Sequence, residues 1–600
     1  MPAQEGDARE GKRRRVEDDV LSAVFTDGSV DRLAAEYAAA APFPHVVVAP
    51  LCPVPAENAA AAATAGNSLG EVSAVLDRVK REIVENVGSK FKETDLFKLF
   101  QTTDLANIDS TQPEVAAKLP TLMRLRDALY SEEVRAFVSK VTGRASLTDR
   151  VDMAASAYAQ GSHLLCHDDV IGTRAVSFIL YLTEPGWTAA DGGALELYPL
   201  AEDSKAVLSG RERGVPTASP SRTILPLTNT MVLFGVEPGV SYHSVQEVLS
   251  DRAPRLSIQG WYHADAAPPG AEMASIAQIK AAAAEEAAPS AALSSLADRQ
   301  PAGEGDEPPP LTDADVAVLS EWVNPTFLSS GELTKVRAKF EEDSSVQLRA
   351  FFLAAPRDRV AEACLAADEA DGLSVDGVPE YTAGLDAGGW QEVGPAHMRR
   401  YLRADTLPAV GASRTARELS RVRELLESEA FAAWAWLATG VRPLGCQGEA
   451  RRFRSGLDYT VAHQGSLQGE MRLDATYCVV DDGSEEAGVV WQSGETGGFQ
   501  CYIAAEDEET TAAEVYCDDD AEGNELLSIA PTSNTLSLVL HGDGTMRFEK
   551  YVSALALGSR WDTIASFAVD DDDVDNDGDS DAGEGDGAAA AAAAAAEACS

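Results

Sequence analysis

No run of apolar residues in this sequence is long enough to cross a bilayer, which takes roughly 18–20 residues. The longest bland stretch, Ala588–Ala596, is too short and too weakly apolar. The N-terminus carries no signal-peptide core. Cysteine is scarce: eight, at 52, 166, 364, 446, 478, 501, 517 and 599, without a C-x-x-C pair. That excludes the usual zinc and disulfide frameworks and leads us to expect a soluble intracellular protein in a reducing compartment. Cations are scarce too, with 49 Lys and Arg against 97 Asp and Glu, a net charge of −48. Phosphate contacts need clustered cations, so direct nucleic-acid binding is not expected. A basic protein partner suits this charge better.

What is present is ample apolar material, 45 % of 600 residues, too much chain for one core. Residues 1–40 read as a disordered arm with one basic cluster, Lys12-Arg13-Arg14-Arg15, that can serve nuclear import or be a solvated charge run. Residues 50–70, rich in Ala and Pro, read as a connection. Val72, Val75, Leu76, Val79 and Ile83 recur at helical spacing, and a second helix is expected from about Thr121 to Val141. From Val151 the period changes. Val176–Leu182, Leu195–Tyr198, Thr230–Phe234 and Leu256–Gln259 are short strands punctuated by Gly and Pro, the pattern of a sandwich, barrel or jelly roll. The divisions expected are a first domain over 41–265, a flexible linker over 266–310, a second domain over 311–568 that opens with helical sequence around Leu319–Leu353, and a disordered acidic and poly-Ala tail over 569–600.

An internal repeat links the two domains. Gly192-Gly193, Asn229-Thr230 and Arg255 answer to Gly497-Gly498, Asn534-Thr535 and Arg560, all at an offset of 305 residues. One shared register implies two copies of one β domain, mainly β with flanking helices.

Chemistry concentrates in the first copy. His167 and Asp169 form an H-x-D on an extended strand, so both point to one face. His243 on a later strand can complete two imidazoles and one carboxylate, the facial triad of non-haem Fe(II). An isolated H-x-D would be more often a surface or core histidine. Arg255 and Ser257 share a face of the next strand, offering a guanidinium fork and a hydroxyl to a carboxylate. Tyr181 and Tyr158 can each add a phenol, or simply pack in the core.

These residues resemble those of a known family. H-x-D…H…R-x-S on a double-stranded β-helix is the pattern of the 2-oxoglutarate- and Fe(II)-dependent oxygenases, and the sequence is similar to the eukaryotic ribosomal prolyl 3-hydroxylases. The resemblance rests on Leu164–Asp169, Phe178–Leu182, Gly192–Tyr198 and Arg255–His263, on Pro42-Phe43-Pro44-His45 upstream, and on Leu319–Pro325 and Gly497–Ile503 downstream. It implies two double-stranded β-helix (jelly-roll) domains in tandem, the second without iron. It implies iron on His167, Asp169 and His243, 2-oxoglutarate on Arg255, Tyr181 and Tyr158, O2 as cosubstrate and ascorbate as a support. The implied substrate is a proline of the small-subunit ribosomal protein at the decoding centre, with an effect on translation accuracy and termination, and the implied locations are nucleus and cytoplasm.

The second copy tests the division independently. An offset of 305 from His243 lands on Phe548, and His463 is followed by Gln464 and Gly465, so no metal site is expected there although Arg560 persists. Asp573–Gly578 with Glu584 matches an EF-hand loop, but no amphipathic helices flank it and no calcium site is expected. Rival activities are pruned by residues: Trp261 stands where nucleic-acid dealkylases of this superfamily carry a second arginine, Jumonji-type demethylases usually hold 2-oxoglutarate with lysine, and halogenases lack the carboxylate that Asp169 supplies. An oxygenase acting on a histone or transcription factor, or a degenerate scaffold, stays as the alternative.

Overall fold

Strands buried on both faces organise the first half. In the strand Arg174–Tyr181, Val176, Phe178 and Leu180 join a core beneath helices, whereas Ile179 and Tyr181 enter a second interior cluster. The computed structural model describes residues 21, 27–54, 73–109, 111–145, 147–208, 211–270, 294–296, 307–373, 379–386, 388–405, 411–462, 471–504, 525–542 and 544–569. The cluster at 12–15, most of the connection at 50–70 and of the linker, His463, and the tail with its EF-hand-like loop lie outside those residues.

Thirteen strands of the first half are β1 (His45–Val48), β2 (Ser89–Glu93), β3 (Phe97–Thr102), β4 (Leu147–Tyr158), β5 (His163–His167), β6 (Arg174–Tyr181), β7 (Leu195–Leu197), the hairpin β8 (Ala206–Leu208) and β9 (Arg211–Arg213), β10 (Arg222–Ile224), β11 (Met231–Gly235), β12 (His243–Val245) and β13 (Arg255–Ala264). All but the hairpin form one sheet in the order β1-β11-β6-β13-β4-β3-β5-β12-β7-β10, with β2 on β3. The sheet curls until its ends meet: Phe43, just before β1, and Ile224 of β10 share an interior cluster with Leu195, Leu197, Val232 and Phe234.

Four helices cover the outer face. Ala74–Asn86, capped by Ser73, buries Leu76, Val79 and Ile83, as its spacing predicts. The stretch expected as one helix from Thr121 is two, Pro120–Leu129 and Glu132–Thr142. Ser131 accepts the Val134 N–H and two glutamates follow it, which starts a new helix rather than continuing the old one. The expected disordered arm also ends early. Asp27–Ala39 is a helix whose Val30, Leu33 and Tyr37, at helical spacing, pack into the first core.

The second half has a sheet with the central order Ser345–Arg349, Thr535–His541, Arg472–Val479, Arg560–Val569, Pro443–Phe453, Arg399–Ala404 and Trp390–Val393. Helices Arg414–Leu426 and Glu429–Thr439 pack Leu419, Val422, Phe431 and Trp434 onto its Leu473, Ala475 and Phe567. Within the region expected to be helical, Ser345–Arg349 is a strand, because Val346 and Leu348 pair with Leu538 and Leu536. Within the expected linker, Ser294–Ser295 pairs with Gly445 and Cys446.

Fine details recur between the halves. Asn229 and Asn534 both have left-handed backbones, φ 61° and 52°. Each brackets one residue with its side-chain amide, Cys52 at 2.8 and 3.0 Å and Phe352 at 2.9 and 3.2 Å. Both glycine pairs have positive φ, and a Cβ on Gly192 or Gly497 would lie 2.1 or 1.8 Å from a backbone oxygen.

Candidate active site

Pairing in the curled sheet brings the two histidines together. His167 ends β5 and His243 begins β12, directly opposite each other, with ring centroids 4.2 Å apart. Each Nδ1 lies 2.8 Å from a carbonyl two residues back, Leu165 and Ser241 respectively. A carbonyl can only accept, so Nδ1 carries the proton and Nε2 turns its lone pair inward. Asp169 follows in a left-handed conformation, φ 64°, that swings its carboxylate to within 3.3 Å of His167 Nε2 and 3.4 Å of His243 Nε2. Donor atoms of all three lie within 4.8 Å of one another, and among the described residues no other such group forms.

The neighbours fix this geometry. Asp168 accepts the Gly239 N–H at 3.1 Å and its carbonyl accepts the Ser241 hydroxyl at 3.0 Å, which holds the turn. Trp261 donates its indole N–H to Asp169 Oδ2 at 2.9 Å, and the Arg174 guanidinium covers the Trp261 ring at 3.6 Å. Burial alone would raise the Asp169 pKa, but the imidazoles of His243 and His167 hold it well below the carboxylate range. Burial opposes charge on His167, yet Asp169 raises its pKa. The cluster is thus arranged for a cation.

Arg255, Ser257, Tyr158 and Tyr181 meet on the interior face. Tyr158 stands opposite Arg255 and Tyr181 opposite Ser257. The guanidinium lies 4.8 and 5.0 Å from the two phenol rings, donates through Nε to the Gly193 carbonyl at 2.7 Å, and reaches Ser257 Oγ at 3.4 Å. Gly193 has to be glycine here, since its φ is +70° and a Cβ would come within 2.8 Å of the Arg255 side chain. Arg255 Nη2 and both phenol hydroxyls are buried without a hydrogen-bond partner among the described residues. Burial pushes the Tyr158 pKa up to about 12, against the pull of Arg255, so it stays a donor. Orphaned buried donors cost roughly 1–3 kcal/mol each, and a carboxylate with several lone pairs would satisfy the set. The residues therefore fit an anionic cosubstrate beside a divalent cation.

The second half stands against the backs of the strands that carry His167 and His243. Ser244, beside His243, donates outward to Glu196 at 2.9 Å, and Tyr381 donates to the same carboxylate at 2.7 Å. Glu247 accepts from Tyr551, Ser553 and the Ala554 backbone. Leu165 and Cys166, beside His167, pack on Tyr459, Tyr551 and Ala396. Sequence reasoning missed this seam and the role of Trp261, because neither has a local pattern. Only the motif spacing around Trp261 marks it.

The corresponding place in the second half is filled from within. Phe453 and Cys478 occupy the register positions of Tyr158 and Tyr181. Arg560 pairs with Asp562 at 2.9 Å, where the first half has Ser257. Strand pairing also corrects the offset. Arg547 stands opposite Tyr502 as His243 stands opposite Leu197, so Arg547, not Phe548, holds the place of His243. It is ion-paired to Asp474 at 2.6 Å.

Comparison with known proteins agrees with this chemistry. Residues 153–263 match the 2OG-Fe(II) oxygenase superfamily, and residues 314–576 match the family described as oxoglutarate and iron-dependent oxygenase degradation C-term. The chain is 36 % identical over 513 residues to the prolyl 3,4-dihydroxylase OGFOD1 of Ostreococcus tauri, covering 81 % of this chain and 91 % of that protein. With the prolyl 3-hydroxylase OGFOD1 of Xenopus laevis it shares 28 % identity over 552 residues, 85 % of this chain and 83 % of that protein. The chain belongs to the OGFOD1 family of prolyl hydroxylases, enzymes that use Fe(II), 2-oxoglutarate and O2.

Proposed function

We propose that His167, Asp169 and His243 hold the Fe(II), and that Arg255, Ser257, Tyr181 and Tyr158 hold the far carboxylate of 2-oxoglutarate. The observation that carries this is their coexistence in one barrel: three convergent donor atoms and three buried hydrogen-bond donors that lack an acceptor among the described residues. Bound there, the metal and cosubstrate supply the activation of O2 that ends in succinate, carbon dioxide and a hydroxylated C–H bond. The chain supplies the rest. Carbonyls of Leu165 and Ser241 orient the imidazoles, Trp261 holds the carboxylate, Arg255 neutralises the cosubstrate, and the apolar wall around Leu197 and Phe234 keeps water out.

The substrate we infer is a proline of the small-subunit ribosomal protein at the decoding centre, with a consequence for translation accuracy and termination. A net charge of −48 supports a basic partner through long-range attraction. The two sheets read as two copies of one double-stranded β-helix domain, the second without iron, on the strength of the matched asparagines, glycines and arginines. Location in nucleus and cytoplasm, and support of turnover by ascorbate, belong to the same reading. The deciding experiment incubates purified enzyme, Fe(II) and 2-oxoglutarate with small ribosomal subunits and, separately, with histones. Mass spectrometry should find one or two added oxygens on a proline of one ribosomal protein; hydroxylation confined to histones would replace the substrate named here.

A further inference from the structure

The strand register lays two rows of side chains at the level of the metal ligands. In one, Arg222 stands opposite Leu197, Leu197 opposite His243, and His243 opposite His167. In the other, His45 stands opposite Phe234, Phe234 opposite Ser177, and Ser177 opposite Trp261. Residues directly opposite in an antiparallel pair share a face, so both rows look into the barrel. The rows touch where Phe234 packs on His243, centroids 4.6 Å apart, and where Trp261 reaches Asp169. They end at His45 and Arg222, on the two strands that terminate the sheet and do not pair with each other.

These two end residues are chemically incomplete. His45 Nδ1 lies 2.8 Å from the Phe43 carbonyl, so Nδ1 donates and Nε2 is left as an acceptor with no partner among the described residues. Burial, reinforced by the charge of Arg222, keeps the imidazole below its ordinary pKa and therefore neutral at pH 7. Arg222 is exposed and forms no ion pair among the described residues. Proline offers no amide hydrogen, so recognition of a prolyl peptide has to use the N–H of a flanking residue and the carbonyls around it. One acceptor and one cation, near enough for the charge of Arg222 to act on His45, match that pair of groups.

We infer that the seam between β1 and β10 admits the prolyl peptide, with His45 Nε2 accepting an N–H from a residue flanking the target proline and Arg222 donating to a neighbouring carbonyl. The inference rests on the prolyl hydroxylase activity and on the iron site proposed above. It makes His45 and Arg222 specificity-determining residues and absorbs the Pro42-Phe43-Pro44-His45 motif into function.

The test uses the full-length enzyme and a pool of proline-centred peptides of about twelve residues, half of them drawn from small-subunit ribosomal proteins, with KM and kcat taken on the best substrate. His45→Ala and Arg222→Ala should each raise the peptide KM about tenfold, the scale of one lost hydrogen bond, while kcat and the 2-oxoglutarate KM stay within about twofold. His45→Gln, which restores an acceptor, should recover most of the loss. N-methylation of the contacted flanking amide should cost the wild type about tenfold and cost His45→Ala nothing further. Unchanged peptide KM in both alanine variants, or multiplicative losses for every methylated amide, would overturn the inference alone. Failure of the wild type on every peptide would sink the substrate reading with it.

Discussion

Arg255 and Arg560 occupy the same place in the two halves and do opposite things. Arg255 is held by a backbone carbonyl and faces two phenols, with part of its charge left uncommitted. Arg560 keeps the corresponding carbonyl contact, to Gly498, but its charge is taken by Asp562, which Arg451 also grips at 2.8 Å. The proposed metal position differs in the same sense: two imidazoles and a carboxylate in one half, an Arg547–Asp474 ion pair in the other. A fold can thus keep the arginine of a binding site and still close the site by providing the anion itself. Presence of a ligand-binding residue says less than whether its charge is already satisfied.

The comparison can be pushed by moving residues from one half to the other. The largest effect is expected from His243→Arg, which imports the second half's solution. It removes a ligand and adds a cation, so iron-dependent succinate formation should fall by at least about a thousandfold; activity near wild type would remove His243 from the metal site. Ser257→Asp, which imports Asp562, should give Arg255 an internal partner and raise the 2-oxoglutarate KM about a hundredfold or more. Arg255→Ala should do the same, since loss of a desolvated ion pair costs roughly 2–5 kcal/mol. Arg560→Ala should leave that KM alone and instead lower stability by about 3 kcal/mol in urea melts, because buried Asp562 loses one of two cations. Equal effects of the two arginines on cosubstrate KM would erase the distinction.

A smaller effect concerns the seam. His163 packs on Tyr551 in a tilted arrangement, ring centroids 4.2 Å apart, and burial lowers its pKa to about 4. A depressed folded-state pKa means that the contribution is complete above the unfolded value of about 6.5 and is lost as pH falls toward 4, by about 3 kcal/mol in total. Glu196 and Glu247 at the same seam are raised by burial and act in the opposite direction, weakening the fold as pH rises through their range. His163→Gln should therefore show a flatter stability profile than the wild type between pH 6.5 and 4. The smallest effect is expected from Tyr381→Phe. Loss of one donor to Glu196 should cost about 1–2 kcal/mol and weaken Fe(II) binding a few-fold in titration. An unchanged metal affinity would mean that the seam supports the fold and not the ligand strands.

Much of the site could be read before the fold because it is written in strand register. Two-residue spacing on one strand puts Arg255 beside Ser257, whereas Asp169, expected on the same strand as His167, lies past its end and reaches the imidazole through a left-handed turn that the sequence did not announce. The strand at 176–182 was legible from its β-branched and aromatic residues, and the helix that buries Leu76, Val79 and Ile83 from its spacing, but the continuous apolar run hid how that strand divides Val176, Phe178 and Leu180 from Ile179 and Tyr181. Arg547 was not, because a single-residue slip between repeats is invisible to a fixed offset and changes which residue faces inward. The helix at 27–39 was obscured by its acidic, Ala-rich surroundings, although its three buried side chains are correctly spaced. The seam had no signal at all: Glu196, Glu247 and Tyr381 are ordinary surface-type residues until the other half arrives. Its buried carboxylates also change what a truncated first half would be, since removing residues beyond 310 would expose the backs of both ligand strands.

Asp169 deserves a different light, that of neutral drift. Its backbone sits in a region where glycine rests without penalty and where most other residues are uncomfortable, with Asp and Asn among those that tolerate it. Any lineage released from selection for oxygenation can relax that position by a single base change to glycine and recover stability in the bargain. The carboxylate proposed to hold the iron therefore stands at a place where the fold can gain stability by giving up its chemistry.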